Sequence, residues 1–100
     1  MEVCYEPSLL EYMEKKKLST ILVELVEINN SDLDVTEFHV RLVNRRLRDL
    51  FVDQKRYRVV TTPQGEVLLP PFPLVLEDAV TFGLKKVLFV SMLTYKGIKV

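Results

Sequence analysis

Apolar and polar residues alternate with a period of two along much of the chain, and this pattern predicts a protein built mainly of β-strands. The alternation is clearest between residues 35 and 43. One face of that strand would carry Thr36, Phe38, Val40 and Leu42, and the other would carry Val35, Glu37, His39, Arg41 and Val43. Such a strand suits a sheet with one apolar face and one more polar face.

Residues 18–28 are apolar on both faces and fit two interpretations. Helical spacing is matched by Leu18, Ile21, Leu22, Leu25 and Val26. The richness of the segment in Val, Ile and Thr favours a strand instead. We predict a strand with a central position, because a run that is apolar on both faces suits a strand covered above and below. Residues 29–32, Asn-Asn-Ser-Asp, predict a turn.

Four further strands are predicted in the second half of the chain, at residues 55–62, 66–69, 80–84 and 87–96. Pro63 and Gly65 occupy positions favoured in a reverse turn, so the first two of these strands are expected to form a hairpin. Residues 70–73, Pro-Pro-Phe-Pro, cannot continue a hydrogen-bonded ladder and predict a surface crossing or a sheet edge. Gly97 is expected to end the last strand.

One short helix is predicted at residues 8–17. Pro7 suits the first helical position, because its missing N–H would be unpaired there in any case. Acidic residues precede three lysines along this segment, which complements the helix dipole. Residues 44–54 fit either a helical turn or a loop. One helix and about six strands predict an α+β fold with mostly antiparallel sheet, in a single domain that covers residues 1–100.

The composition fits one ordinary globular domain. Of the 100 residues, 48% are hydrophobic and 28% are charged, which is far from the composition of disordered chains. Apolar stretches reach about seven residues, whereas a membrane span needs about 20, so no membrane association is predicted. Residues 1–6 lack the basic-then-apolar order of a signal peptide. Together with the single cysteine, Cys4, these features favour the cytoplasm.

The formal net charge of zero conceals an uneven distribution of charge along the chain. Residues 1–40 carry nine acids and three bases, and residues 41–58 carry seven bases and two acids. Residues 59–100 are nearly balanced, with four bases and three acids. Such asymmetry marks either a binding surface or two oppositely charged surfaces that meet within the fold or across a dimer. The second interpretation is preferred here.

The residues that catalysis and metal binding require are scarce. A nucleophilic Cys–His pair would have to join Cys4 to His39, which is the only histidine. We expect His39 instead to pair with a carboxylate such as Glu37. Zinc sites need three or four protein ligands, and the acids at residues 32–37 lack the spacing and the glycine of a calcium loop. We therefore predict no catalytic site, no metal site and no cofactor.

The basic segment, residues 41–58, is the one positive indication of a binding surface. Arg45, Arg46 and Arg48 are candidates for contacting a partner. If the partner were single-stranded nucleic acid, the arginines would bind phosphates and an aromatic residue nearby in the segment would stack on a base. The neutral overall charge and the interspersed acids argue against that alternative, because nucleic-acid-binding domains are usually basic as a whole.

A second candidate contact lies at Phe72, within the proline-rich segment 70–73. This segment presents an apolar side chain either to a partner or to the core that it crosses. Small β-rich domains with free sheet edges often pair as symmetric dimers, which hides the edges from aggregation. A homodimer is therefore expected.

The C-terminal segments 80–90 and 93–99, Val-Thr-Phe-Gly-Leu-Lys-Lys-Val-Leu-Phe-Val and Leu-Thr-Tyr-Lys-Gly-Ile-Lys, resemble the small bacterial HesB-like proteins. The order of elements, a short helix followed by an apolar strand and a loop, is similar as well. The resemblance implies a HesB-like sandwich, related in fold to the A-type iron–sulfur carriers. The family places its cysteines after the first apolar strand, yet residues 26–32 contain none, and the chain ends without a Cys-Gly-Cys motif. Because thiolates hold iron–sulfur clusters, no functional residue carries over.

From the sequence, the leading hypothesis is a non-enzymatic interaction protein, dimeric, and related to HesB-like scaffolds that have lost their redox or metal-binding cysteines. The alternative is a single-stranded nucleic-acid-binding protein that uses residues 41–58. A third hypothesis, an enzyme or small-ligand binder, requires a closed pocket that holds His39 beside a carboxylate.

Overall fold

The computed structural model describes residues 2–29 and 34–99, and it shows an α+β fold of seven strands and two helices. In chain order, the elements are β1 (Glu2–Tyr5), α1 (Pro7–Lys16), β2 (Thr20–Asn29), β3 (Asp34–Val43), α2 (Arg45–Asp53), β4 (Arg58–Thr62), β5 (Gly65–Leu69), β6 (Val75–Val87) and β7 (Val90–Lys99). The predicted α+β class is confirmed, with one helix and one strand more than expected. Most of the turn predicted at residues 29–32 lies outside the described residues.

The strands form two mixed sheets. The first sheet has the order β1-β6-β7, and the second has the order β3-β2-β5-β4. The pairs β2–β3, β4–β5 and β6–β7 each join two strands that are consecutive in the chain, and all three pairs are antiparallel. The pairs β1–β6 and β2–β5 are parallel, which the prediction of mostly antiparallel sheet did not anticipate. These partners are distant in sequence, so no tight turn forces them to run in opposite directions.

Both sheets contribute to one main hydrophobic core. Phe82 of β6 and Leu9 of α1 are wholly buried there, together with Ile21 and Val67 of the second sheet. The sheets also meet near their edges. The hydroxyl groups of Tyr5 and Thr62 are 2.9 Å apart and hydrogen-bonded, so β1 lies beside β4. Burial raises the pKa of the Tyr5 hydroxyl, although its bond to Thr62 acts in the opposite direction.

The second sheet is covered on both faces. Leu22 and Leu68 are fully buried on the face opposite the main core, where they pack with Phe51 of α2 in a second cluster. The neighbours of Leu22 along β2, Ile21 and Val23, enter the main core instead. This alternation explains why residues 18–28 are apolar on both faces, and it confirms the prediction of a central strand there.

Helix α2 occupies the segment that the sequence left open between a helical turn and a loop. Its N-cap is Asn44, whose side-chain oxygen accepts a hydrogen bond from the backbone N–H of Leu47 at 3.0 Å. Such a cap satisfies one of the N–H groups that have no partner at the start of a helix. The helix is mostly polar, and Phe51 is its buried anchor. Asn44, a favoured N-cap residue, is the signal in the sequence that favours a helix over a loop in this segment.

The hairpin of β6 and β7 differs most from the sequence prediction. The predicted strand 80–84 is part of the thirteen-residue strand β6, and the predicted strand 87–96 is interrupted by a turn at Leu88 and Phe89. Gly97 does not end β7 but lies within it at a φ of 93°. A β-carbon at this position would lie 2.5 Å from the carbonyl oxygen of Ala79, so glycine serves both the backbone angle and the close approach.

Candidate functional site

The turn of the β6–β7 hairpin exposes a group of large apolar side chains. Leu88 is 91% exposed and Phe89 is fully exposed, while Val87, Val90 and Met92 are about half exposed. We call these five residues the apolar tip. Single exposed apolar residues are common on protein surfaces, but contiguous clusters mark sites of interaction.

The surroundings of the apolar tip are positively charged. Lys85 and Lys86 precede it on β6, and both are exposed. The sequence from residue 79 to residue 100 contains four lysines and no acidic residue. The tip therefore combines apolar side chains with a flanking positive charge, and nothing on its own stretch of chain neutralises that charge.

Sequence reasoning missed the apolar tip because its turn lacks the usual turn residues. Two-residue hairpin turns favour Asn and Gly, which adopt a positive φ easily. Leu88 has a φ of 57° in this turn, and neither it nor Phe89 carries that signal. The available signal is the mirrored pattern on either side of the turn, in which Leu84 pairs with Leu93 and Phe82 pairs with Tyr95.

A groove adjoins the apolar tip between β3 and β7, beside α1. It has a volume of about 480 Å³, and its apolar lining includes Phe38, Val40 and Leu42 of β3 together with Met92, Leu93 and Tyr95 of β7. We call it the β3–β7 groove. The rings of Phe38 and Tyr95 meet edge to face with their centroids 5.8 Å apart. Met92 belongs to both the groove and the tip.

The rim of the β3–β7 groove carries charges that are paired within the chain. Nε2 of His39 lies 2.9 Å from a carboxylate oxygen of Glu37, which confirms the predicted partner of this histidine. Arg41 lies 3.0 Å from Glu24. His39 is half exposed on the rim of an open groove. The enzyme hypothesis requires a closed pocket that holds His39, and within the described residues His39 lines this open groove instead.

The three candidate arginines of the basic segment lie near the start of α2 and border two pockets. Arg45 and Arg48 line a pocket of about 380 Å³ that also includes Lys17 and Glu66. Arg46 instead borders a separate pocket, which includes Asp53. Arg45 and Arg48 therefore lie beside one pocket and Arg46 beside another.

Several bases of this segment are engaged within the protein. Arg48 forms two hydrogen bonds of 3.1 Å with the carboxylate of Glu66 and one of 3.0 Å with Asp49. The bonds with Glu66, and then the one with Asp49, raise the pKa of Arg48 above its usual value. The ammonium group of Lys55 lies 4.4 Å from the centre of the Phe51 ring. These contacts hold Arg48 and Lys55 within the protein, but none of their partners belongs to the acidic residues 1–40. The preferred interpretation of the charge asymmetry therefore stays a prediction.

The pair Arg48–Glu66 provides a measurable test of that engagement. In a double-mutant cycle of Arg48→Met and Glu66→Gln, we expect a coupling of about 1–2 kcal/mol, because the two side chains are only 27% and 29% exposed and bond through two atoms each. Urea unfolding measures the coupling. The matched control is the more exposed pair Arg41–Glu24, for which we expect less than about 1 kcal/mol. Equal couplings for the two pairs would contradict this account.

Phe72, the other candidate contact, lies in a crossing between the two sheets. It is 39% exposed, and its carbonyl oxygen accepts a hydrogen bond of 3.4 Å from Arg58. Arg58 also donates to the carbonyl oxygen of Pro70 at 3.2 Å. The surface crossing predicted for residues 70–73 is confirmed. Phe72 precedes the start of β6, whereas the apolar tip begins at its last residue, so the two apolar features lie at opposite ends of that strand.

Cys4 and His39, the two residues that a nucleophilic pair would need, lie on different sheets. Cys4 lies on β1 of the first sheet and His39 on β3 of the second, and β1 and β3 are not paired with each other. Over residues 2–29 and 34–99, no three side chains of His, Cys, Asp or Glu lie together as a metal-binding group. Neither described helix has the length and apolar character needed to cross a membrane. Comparisons with models of protein families, with curated proteins and with solved structures find no match to this chain.

Proposed function

We propose that this protein is a non-enzymatic interaction domain that contacts a protein partner through the apolar tip. The observation that carries the proposal is the nearly complete exposure of Leu88 and the full exposure of Phe89 at the end of a long hairpin. Removing apolar surface from water is worth about 25 cal/mol per Å². Aromatic side chains at the centre of an interface contribute most to binding. A protruding Phe is therefore suited to anchor a partner.

The apolar tip supports this function better than the arginines do. Arg48 is held by Glu66 and Asp49, and Arg45 and Arg46 border different pockets. A contact that used Arg48 would have to compete with its bonds to Glu66 and Asp49. The alternative function, binding of single-stranded nucleic acid, loses part of its support for the same reason, and it becomes an outcome of the test below.

The relation to HesB-like proteins stays part of the proposal. An α+β fold of two sheets is consistent with a scaffold of that kind, and the cysteines that hold a cluster are missing from the sequence. In this proposal the fold serves to present the hairpin, and it carries no metal or redox chemistry.

Photo-crosslinking tests the proposed contact directly. The protein is prepared with p-benzoylphenylalanine in place of Phe89, added to a nuclease-treated cytosolic extract and irradiated. We expect a protein adduct, which includes an adduct with another copy of this chain. The matched control carries the same crosslinker at Phe72, a partly exposed aromatic position at the other end of β6, and we expect it to give no such adduct.

Two results would overturn the proposal. One is the absence of any protein adduct from position 89 when the protein is folded, as judged by circular dichroism. The other is an adduct from position 72 alone. In untreated extract, a crosslinker at Arg45 that captures nucleic acid while position 89 captures nothing would favour the alternative function.

A further inference from the structure

We infer that the partner is a second copy of this chain, and that the apolar tip of each copy sits in the β3–β7 groove of the other. This inference rests on the proposed function and names its occupant. In a two-fold symmetric dimer the same surface of both copies forms the contact, so that surface must complement itself. A protrusion beside a hollow meets this requirement. Here the tip and the groove adjoin at Met92.

The chemistry of the groove suits the tip that would enter it. The groove presents aliphatic side chains and the edge-to-face pair of Phe38 and Tyr95. An entering phenyl ring gains by packing against aromatic edges and faces in such arrangements. The volume of about 480 Å³ leaves room for large apolar side chains such as Phe89 and Leu88.

The area available is sufficient for a dimer. Phe89 alone presents about 150–250 Å². With the smaller aliphatic side chains at their observed exposures, the tip presents on the order of 600 Å² per chain. Stable interfaces bury about 1,200–2,000 Å² in total. Two tips, together with the walls of two grooves, reach this range.

The same contact covers two sheet edges. Strand β7 is an edge of the first sheet, and β3 is an edge of the second. Exposed edges of this length are templates for unwanted pairing, and proteins usually protect them. A hairpin lying in the groove would cover the side chains of both edge strands that line it.

The charges at the contact predict how the association depends on salt concentration. Arg41 and His39 on the groove rim are paired with Glu24 and Glu37. Lys16 is the further cation of the lining, and the entering tip brings Lys85 and Lys86. Apolar burial must drive the association against a mild repulsion, so added salt is expected to leave the dimer as tight or to tighten it. Binding to nucleic acid or to an anionic membrane would instead weaken with salt.

Sedimentation equilibrium of the purified full chain tests the inference. We expect the wild type to dimerise, and Phe89→Ser to raise the dissociation constant at least tenfold, because it removes a buried phenyl ring from both contacts. A groove variant, Ser91→Tyr, fills the hollow and should have a similar effect. The control Val75→Ser removes an exposed apolar side chain at the far end of β6 and should change the constant less than twofold.

Mixing the two variants gives the most specific result. The Phe89→Ser chain keeps an intact groove, and the Ser91→Tyr chain keeps an intact tip. A mixed dimer therefore retains one intact tip-in-groove contact, whereas a dimer of either variant alone retains none. We expect the mixture to associate more tightly than either variant by itself. If Ser91→Tyr does not fold, His39→Trp on the exposed rim replaces it.

Each remaining outcome overturns the inference in a distinguishable way. A groove variant that dimerises like the wild type would show that the tips meet each other instead. A wild type that stays monomeric while position 89 crosslinks a different protein would retain the proposed function and remove the second copy. A monomer that sediments with vesicles containing anionic phospholipid would assign the tip to a membrane surface. A monomer with no crosslink from position 89 would remove both proposals.

Discussion

Replacing Phe82 with alanine is expected to lower the free energy of unfolding by about 3–5 kcal/mol. Phe82 is wholly buried in the middle of β6, in the same core cluster as Leu9 and Met13 of α1. Its ring also lies 6.4 Å from the ring of Tyr5, on the neighbouring strand β1. The substitution removes contacts among both sheets and the helix at once, and rigid neighbouring strands limit how far the cavity can collapse.

Urea unfolding, followed by circular dichroism, measures this effect. Phe72→Ala is the matched control, because it removes the same ring from a position that is 39% exposed, and we expect it to cost about 1 kcal/mol or less. If the two substitutions destabilised the protein equally, Phe82 would not occupy the centre of the core that supports the hairpin.

The second large effect is expected at Gly65, where alanine should cost about 3 kcal/mol. A β-carbon at this position would lie 2.0 Å from the backbone carbonyl oxygen of Ser19. That oxygen accepts a hydrogen bond of 2.9 Å from the N–H of Glu66, next to the parallel pairing of β2 with β5. Because the obstacle is backbone, the two central strands of the second sheet must separate to admit a methyl group.

Two measurements check the result at Gly65. Urea unfolding gives the destabilisation, with the exposed neighbour Gln64→Ala as a control that should change stability by less than about 0.5 kcal/mol. Hydrogen exchange of the Glu66 amide reports the local cause, since this N–H should lose protection in Gly65→Ala even when the protein is folded. Unchanged protection together with unchanged stability would contradict the close approach.

Elements whose apolar pattern matches their burial could be predicted from the sequence. The helix at residues 8–17 and the strand at 35–43 follow the periods of their apolar side chains, and the structure has both. The central strand β2 was recognisable because α2 and the main core cover its two faces. Local patterning and tertiary burial agree at these places, so local reasoning succeeds.

The candidate site could not be predicted in the same way, because its residues contradict the usual relation between hydrophobicity and burial. Residues 87–90, Val-Leu-Phe-Val, have the composition of a buried strand, yet they form the exposed end of a hairpin. Arg45, Arg46 and Arg48 are close in sequence, but successive positions on a helix point in different directions. The ion pair of Arg48 with Glu66 depends on a strand eighteen residues away, which no local pattern indicates.

Because β1 pairs with β6, the first sheet can form only after most of the chain has been synthesised. Residues 2–5 find their partners only at residues 79–82, whereas all strands of the second sheet lie between residues 20 and 69. At about 5–20 residues per second, the ribosome delivers β6 several seconds after β1. The second sheet can therefore assemble before β6 and β7 are available to cover the face that it turns to the main core. During that interval Ile21 and Val67 lack the first sheet that buries them. Prompt elongation or a chaperone must then prevent these side chains from associating with other chains.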